Sequence, residues 1–200
     1  ISMLIINFLN VMTNVGIEKS LIQKENISSM HIETGWTFEI ARGIIISTTI
    51  YFMAPLFANY FEEPNAIPFI RAIGLTALIR GFSHFKLFTL QKNLYFSKLF
   101  SIEVIPAILS IMIGIISAIT LQNAWALVYA QLTNVIVRFL LSYFYFPSLP
   151  KLRFNKDQFD EMFKFGKWVL FGGVLSYLIM NGDKYFIGKV YDIATLGLYS

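Results

Sequence analysis

Residues 105–121, IPAILSIMIGIISAITL, carry no charged side chain. With the residues leading in from Leu99 they fill the length of about 20 mostly apolar residues that a helix needs to cross a bilayer. A single such run would suit the centre of a large soluble protein, but this one has company. The stretch GIIISTTIYFMAPLF (Gly43–Phe57) reads the same way. Applied along the chain, the length test predicts one truncated span, Ile1 to about Val15, and five fuller ones. These run from about Thr37 to Ala58, Ala66 to Phe88, Leu99 to Leu121, Ala124 to Phe146 and Phe163 to Ile187. The one from Ala66 to Phe88 is the most polar, with Arg71, Arg80 and His84. The fold class is therefore all-α, a polytopic transmembrane helical bundle.

Composition supports that class and excludes others. Charged residues make up 14% of the chain, against about 25% in ordinary globular proteins, which is too little to cover a soluble surface. The mean hydropathy is +0.62. Disorder is excluded because 20 Phe, 10 Tyr and 3 Trp are the opposite of a disordered composition. With 0 Cys there is no disulfide framework, thiolate metal site or cysteine nucleophile. His31 and His84 stand too far apart in sequence to form a zinc motif. No nucleotide-binding G-x-x-x-x-G-K-[ST] stretch occurs, and no cofactor is implied.

The connecting segments alternate. Asn14–Gly35, Lys86–Lys98 and Pro147–Met162 are longer and charged, whereas Asn59–Asn65 and Gln122-Asn123 are short reversals. Lys19, Lys24, Arg80, Lys86, Lys92, Lys98, Lys151, Arg153, Lys156, Lys164 and Lys167 fall on one side, and only Arg71 and Lys189 on the other. By the positive-inside rule the longer segments are cytoplasmic and the Glu62-Glu63 turn is outside. The mixed basic and aromatic stretch from His84 to Lys98 reads as an interfacial segment on anionic headgroups rather than a nucleic-acid site.

Ionisable groups within spans are costly and tend to face a cavity or a partner. Glu39 and Arg42 share one helix face. Arg138 lies deep in the span from Ala124 to Phe146, where exposure to lipid would cost about 2.5–3.5 kcal/mol. Arg80 reads as either an anchor or a cavity charge, and Arg71 as an interfacial anchor. Glu103 with Pro106 marks a kink whose freed carbonyl is satisfied by neighbours. Asp183 and Lys184 form a polar cluster near the outer end of the last span.

Taken in order, LIQKENISS (21–29), TGWTFEIARGIIIS (34–47), APLFANYFEEPNAIPFIRAIGL (54–75), LQKNLYFSKLFSIEV (90–104) and FGKWVLFGGVLSYLIMNGDKYFIGKVYDIATLGLYS (165–200) resemble the polysaccharide-biosynthesis oligosaccharide flippases. These belong to the multidrug/oligosaccharidyl-lipid/polysaccharide exporter superfamily. The resemblance implies about 12–14 helices in two halves around a central cavity. Residues 1–150 would then be most of the first half, its second to sixth helices, and 151–200 the linker and first helix of the second. An internal fragment is expected, because the chain starts within one apolar run and stops as another begins.

The function so implied is movement of lipid-linked oligosaccharide, such as O-antigen or other lipopolysaccharide repeat units, from the inner to the outer leaflet. It would proceed by alternating access in a bacterial inner membrane. Arg42, Arg138 and Arg80 are the expected cationic substrate contacts, since a guanidinium fork suits a diphosphate. Glu39, Asp183 and Lys184 are the expected gating or ion-coupling groups. Expected partners are lipid-linked oligosaccharide and membrane lipids, with polysaccharide polymerase machinery left open and no nucleic acid. A cation-coupled multidrug exporter of the same superfamily is the nearest alternative, but cationic substrates call for more acidic cavity residues. An integral membrane polymerase or ligase ranks lower, because the two complete outside loops are too short to hold catalytic groups.

Overall fold

The computed structural model describes residues 16–60 and 62–190, with the backbone alone for 181 and 183–190. Among the described residues there are seven α-helices, one 3₁₀ turn at Pro64–Ala66, and no strand. The helices are α1 (Ile17–Gln23), α2 (Ser29–Tyr60), α3 (Ile67–Phe82), α4 (Leu87–Lys92), α5 (Phe96–Leu121), α6 (Trp125–Tyr145) and α7 (Lys156–Val190). Four are long and apolar enough to cross a membrane: α2, α5, α6 and, over Lys156–Met180, α7. The expected span Ile1–Val15 lies outside the described residues.

Two expected spans, α5 and α6, match within three residues at each end. The short reversal between them is closed by Gln122 in the left-handed region (φ 49) and by Asn123, whose Oδ1 accepts the Trp125 N–H at 3.0 Å. The expected span from Ala66 to Phe88 is corrected. Its helix, α3, has 16 residues, or about 24 Å of rise, short of the roughly 30 Å hydrocarbon core. The backbone turns away after Phe82 because the next N–H groups find other partners. Ser83 N–H bonds the Arg80 carbonyl at 3.0 Å, and His84 N–H goes to Ser142 Oγ of α6, also at 3.0 Å. Both α2 and α7 begin earlier than expected, at Ser29 and Lys156, so their first turns carry the polar groups of the basic end.

Prolines inside helices leave the carbonyl four residues back without its donor. At Pro55 of α2 that carbonyl belongs to Tyr51, and Arg71 Nε of α3 donates to it at 3.3 Å. The Arg71 guanidinium also lies 4.3 Å from the centre of the Tyr51 ring. Arg71 therefore repairs a helix break as well as standing near an interface.

The bundle has two apolar cores. One, away from the basic end, joins α2, α3 and α6 through Ile46, Ile50, Ala54, Ile70, Ile73, Ala77 and Val128. The other, at the basic end, joins α1, α2, the α3–α4 turn, α4 and α7 through Ile17, Leu21, Trp36, Ile40, Phe85, Phe88 and Met162. Between them α2 and α3 touch backbone to backbone. A Cβ on Gly43 would lie 2.7 Å from the Ala77 carbonyl oxygen, and one on Gly81 would lie 2.7 Å from that of Glu39. Small residues permit such close helix approach in a bilayer, where apolar side chains gain nothing by leaving lipid.

Gly81→Val should separate α2 from α3 and cost about 1–3 kcal/mol, the usual range for overpacking. Gly172→Ala, where an added Cβ meets nothing within 4 Å, should cost no stability. Thermal unfolding midpoints of the two variants in the same detergent would separate these outcomes.

Candidate functional site

The close contact at Gly43 and Gly81 sets side by side the residues that precede them, Arg42 and Arg80. Both line a cavity of about 350 Å³ that also takes in Glu18 of α1, Glu39 of α2, His84, Glu103 of α5, and Asn134 and Arg138 of α6. Its volume falls at the lower end of small-ligand sites, roughly 300–1,000 Å³. Four of the six residues expected to carry function therefore meet in one place: Arg42, Arg80, Arg138 and Glu39. The other two, Asp183 and Lys184, lie outside the described side chains.

The charges in the cavity are arranged in pairs. Arg42 holds Glu39 through Nε at 2.9 Å and Nη2 at 2.6 Å, both to the same carboxylate oxygen. These two side chains are only 19% and 15% exposed. A charge-assisted pair of this kind is needed where two ions share so little water. Arg138 Nη1 reaches Glu103 Oε2 across the α5–α6 interface at 2.7 Å. Arg80 and Glu18 also line the wall, and among the described residues neither side chain forms an ion pair or hydrogen bond. Three arginines thus face three glutamates, with one of each left free.

The Glu18 side chain is exposed, and it opens on the cavity. Loss of bulk water to the surrounding cavity walls is the main influence on its carboxyl, and with the neighbouring Glu39 charge it pushes the group up to about 7; Arg42 and Arg138 pull the other way. The sequence alone did not single out Glu18, because a lone carboxylate just past a span resembles any loop charge. The role of Glu103 as the partner of Arg138 was also missed. A depth comparison could have found it, since each residue sits about two turns in from the basic end of its helix.

His84 closes one wall. Its ring stacks on Phe146 with centroids 5.2 Å apart. The Lys86 N–H donates to Nδ1 at 3.1 Å, and Nε2 lies 2.7 Å from the Ser148 carbonyl. A carbonyl only accepts, so Nε2 carries the hydrogen and the ring is the neutral tautomer that satisfies both partners. Burial lowers its pKa, the Ser148 bond opposes that shift, and Lys86 adds to it. His84 is therefore a clamp on the segment after α6. Farther along, that segment is tied to α2 through the Asn155 N–H to Thr34 Oγ1 at 3.2 Å and Thr37 Oγ1 to the Arg153 carbonyl at 3.0 Å.

A second polar cluster lies at the basic end outside the cavity. Lys24 Nζ is 2.5 Å from Glu161 Oε1 of α7 and 2.6 Å from His31 Nε2 of α2. With Glu161 53% exposed, this pair contributes on the order of 0.2–1 kcal/mol. Its value is positional, because it docks the start of α7 on α1 and α2.

The whole chain, residues 1–200, matches the family described as polysaccharide biosynthesis protein. It is 22% identical over 202 residues to the lipopolysaccharide biosynthesis protein WzxC of Escherichia coli (strain K12), covering 100% of this chain and 41% of that protein. It is also 22% identical over 195 residues to the teichuronic acid biosynthesis protein TuaB of Bacillus subtilis (strain 168), covering 96% and 40% respectively. The chain spans about two fifths of the length of these curated relatives. No solved structure matches it.

Because the folded His84 binds its proton less tightly than the ordinary histidine value of about 6.5, the folded state takes up fewer protons than the unfolded one. The stability it contributes is complete above that value and declines as pH falls toward the lower folded value. His84→Gln keeps a donor for Ser148 but cannot titrate. Unfolding midpoints measured from pH 7.5 down to 5 should fall less steeply for this variant than for the wild type.

Proposed function

The chain belongs to the polysaccharide biosynthesis protein family, and from that premise we propose that the full-length protein carries lipid-linked oligosaccharide from the inner to the outer leaflet of a bacterial inner membrane. The observation that carries the proposal is the convergence of Arg42, Arg80 and Arg138, from three different helices, on one cavity near the basic end. A phosphorylated headgroup cannot enter hydrocarbon unaided, and a cluster of guanidinium groups offers it forked hydrogen bonds in place of water. Two relatives of equal identity are named for different polysaccharides, lipopolysaccharide and teichuronic acid. That difference favours recognition of the phosphate linkage to lipid over recognition of any one sugar.

In this reading residues 1–150 form most of the first helical half. Residues 151–200 supply the linker and the first helix of the second half, docked on the first half by Lys24, His31 and Glu161. The basic end faces the cytoplasm, as the Lys/Arg distribution requires. Access alternates as the two halves rock about the site, with Asp183 and Lys184 proposed as an outer gate and Glu39 as the partner that holds Arg42 in place. The protein acts as a transporter and catalyses no covalent step.

Arg42→Ala, Arg80→Ala and Arg138→Ala should be combined in the full-length protein and expressed at wild-type abundance in a strain lacking the native copy. Surface polysaccharide is expected to drop at least about tenfold, the scale of one lost charge-assisted contact, with the lipid-linked unit accumulating inside. Unchanged surface polysaccharide in the triple variant would sink the proposal.

A further inference from the structure

We propose that Glu18 is a proton-binding site that links loading of the cavity with a phosphate-class anion to uptake of one proton. This inference rests on the anion-carrying reading above and adds the group that compensates the anion's charge. Arg42 is held by Glu39 and Arg138 by Glu103, each with a contact of 2.7 Å or less. Arg80 and Glu18 are the remaining cation and anion, without an ion-pair partner among the described residues. With all six ionised, the wall is electrically balanced, so an arriving dianion has no net positive charge to meet.

Loading must then proceed by exchange. The anion can take Arg80 directly, but drawing in Arg42 or Arg138 means competing with Glu39 or Glu103. Each substitution leaves negative charge behind in a confined space. Glu18 is placed to absorb it. It opens on the same cavity, no cation among the described residues is committed to it, and water can deliver a proton there. The two arginines that favour its ionised form, Arg42 and Arg138, are the ones an anion would neutralise. Anion binding therefore raises Glu18's hold on a proton from a starting point already about 7.

The other titratable groups around α1 are occupied or face away. His84 is held neutral by Ser148 and Lys86. From α4, Lys92 Nζ donates to the carbonyls of Lys24 and Glu25. From α7, Glu161 is engaged by Lys24 and His31, while Asp157, Asp160, Lys164 and Lys167 are exposed. Lys19 on α1 itself is exposed as well. On α2, Glu33 lies toward Arg153.

The protonated form binds the anion better, so affinity is highest below pH 7. It falls by up to about tenfold per pH unit above pH 7, until the higher pKa of the loaded state is passed. The test uses the full-length protein in detergent with farnesyl diphosphate as the anion, titrated calorimetrically at pH 7.5 in buffers of different ionisation enthalpy. The wild type should take up more protons per bound anion than Glu18→Gln, by up to about one, and the variant's affinity should lose its fall above pH 7. Subtracting the variant removes the titration of the diphosphate itself.

Equal proton uptake by two forms that both bind would overturn the role of Glu18 and leave the anion cavity standing. Failure of the wild type to bind at any pH would overturn the cavity reading, and this inference with it. If Glu18→Gln does not fold, infrared difference spectra of the wild type serve instead. A protonated-carboxyl band should appear on anion binding at pH 7.5, and its absence would overturn the inference.

Discussion

Everything at the candidate site depends on the backbone contact between α2 and α3 at Gly43 and Gly81. Each of these residues lies so close to a carbonyl of the other helix that a single added carbon would meet it at 2.7 Å. In a bilayer, two apolar helices gain little by exchanging lipid for each other. Close approach is therefore the main source of attraction, through many small dispersion contacts. Once it is made, the neighbouring Arg42 and Arg80 are delivered to the same side without any attraction between two like charges. The packing free energy of the helix pair holds together groups that would otherwise separate.

The same economy appears wherever a charge enters the bundle. Arg42 and Arg138 are matched by Glu39 and Glu103, and Arg71 is used to satisfy the carbonyl that Pro55 frees. Each arrangement replaces water that the bilayer cannot supply. Among the described residues the Arg80 and Glu18 side chains depart from this rule, and they do so on the wall of a cavity large enough to hold water or a ligand. An unmatched pair of charges in an otherwise balanced wall is where an incoming ion has the least competition.

Much of this was legible in the residues. The uncharged run 105–121 and its counterparts were sufficient for an all-α membrane bundle, and α5 and α6 matched closely because they are apolar along their whole length. Arg42, Arg80 and Arg138 stood out because charge is rare in such helices. The expected span from Ala66 to Phe88 is too long, because Ser83 and His84 look acceptable in a hydrophobic window and nothing local shows that His84 N–H will bond Ser142. Glu103 was read with Pro106 as part of a kink, since its partner Arg138 lies 35 residues away on the next helix. Glu18 falls in the charged segment Asn14–Gly35 and goes unremarked for the same reason: the residues that share its cavity lie far along the chain.

Membrane class, helical architecture and the sidedness of the basic segments are properties of composition and order along the chain. They follow from the cost of unpaired backbone and charge in hydrocarbon, which each segment meets alone. Which charges share a cavity, and which of them remain unmatched, depends on contacts between helices far apart in sequence. Those contacts are set by shape at positions such as Gly43, Gly81 and Ser142, where the residue type permits an approach without naming its partner. The tertiary structure alone decided that, among the described residues, three arginines and three glutamates would face one another, and that Arg80 and Glu18 would be left over.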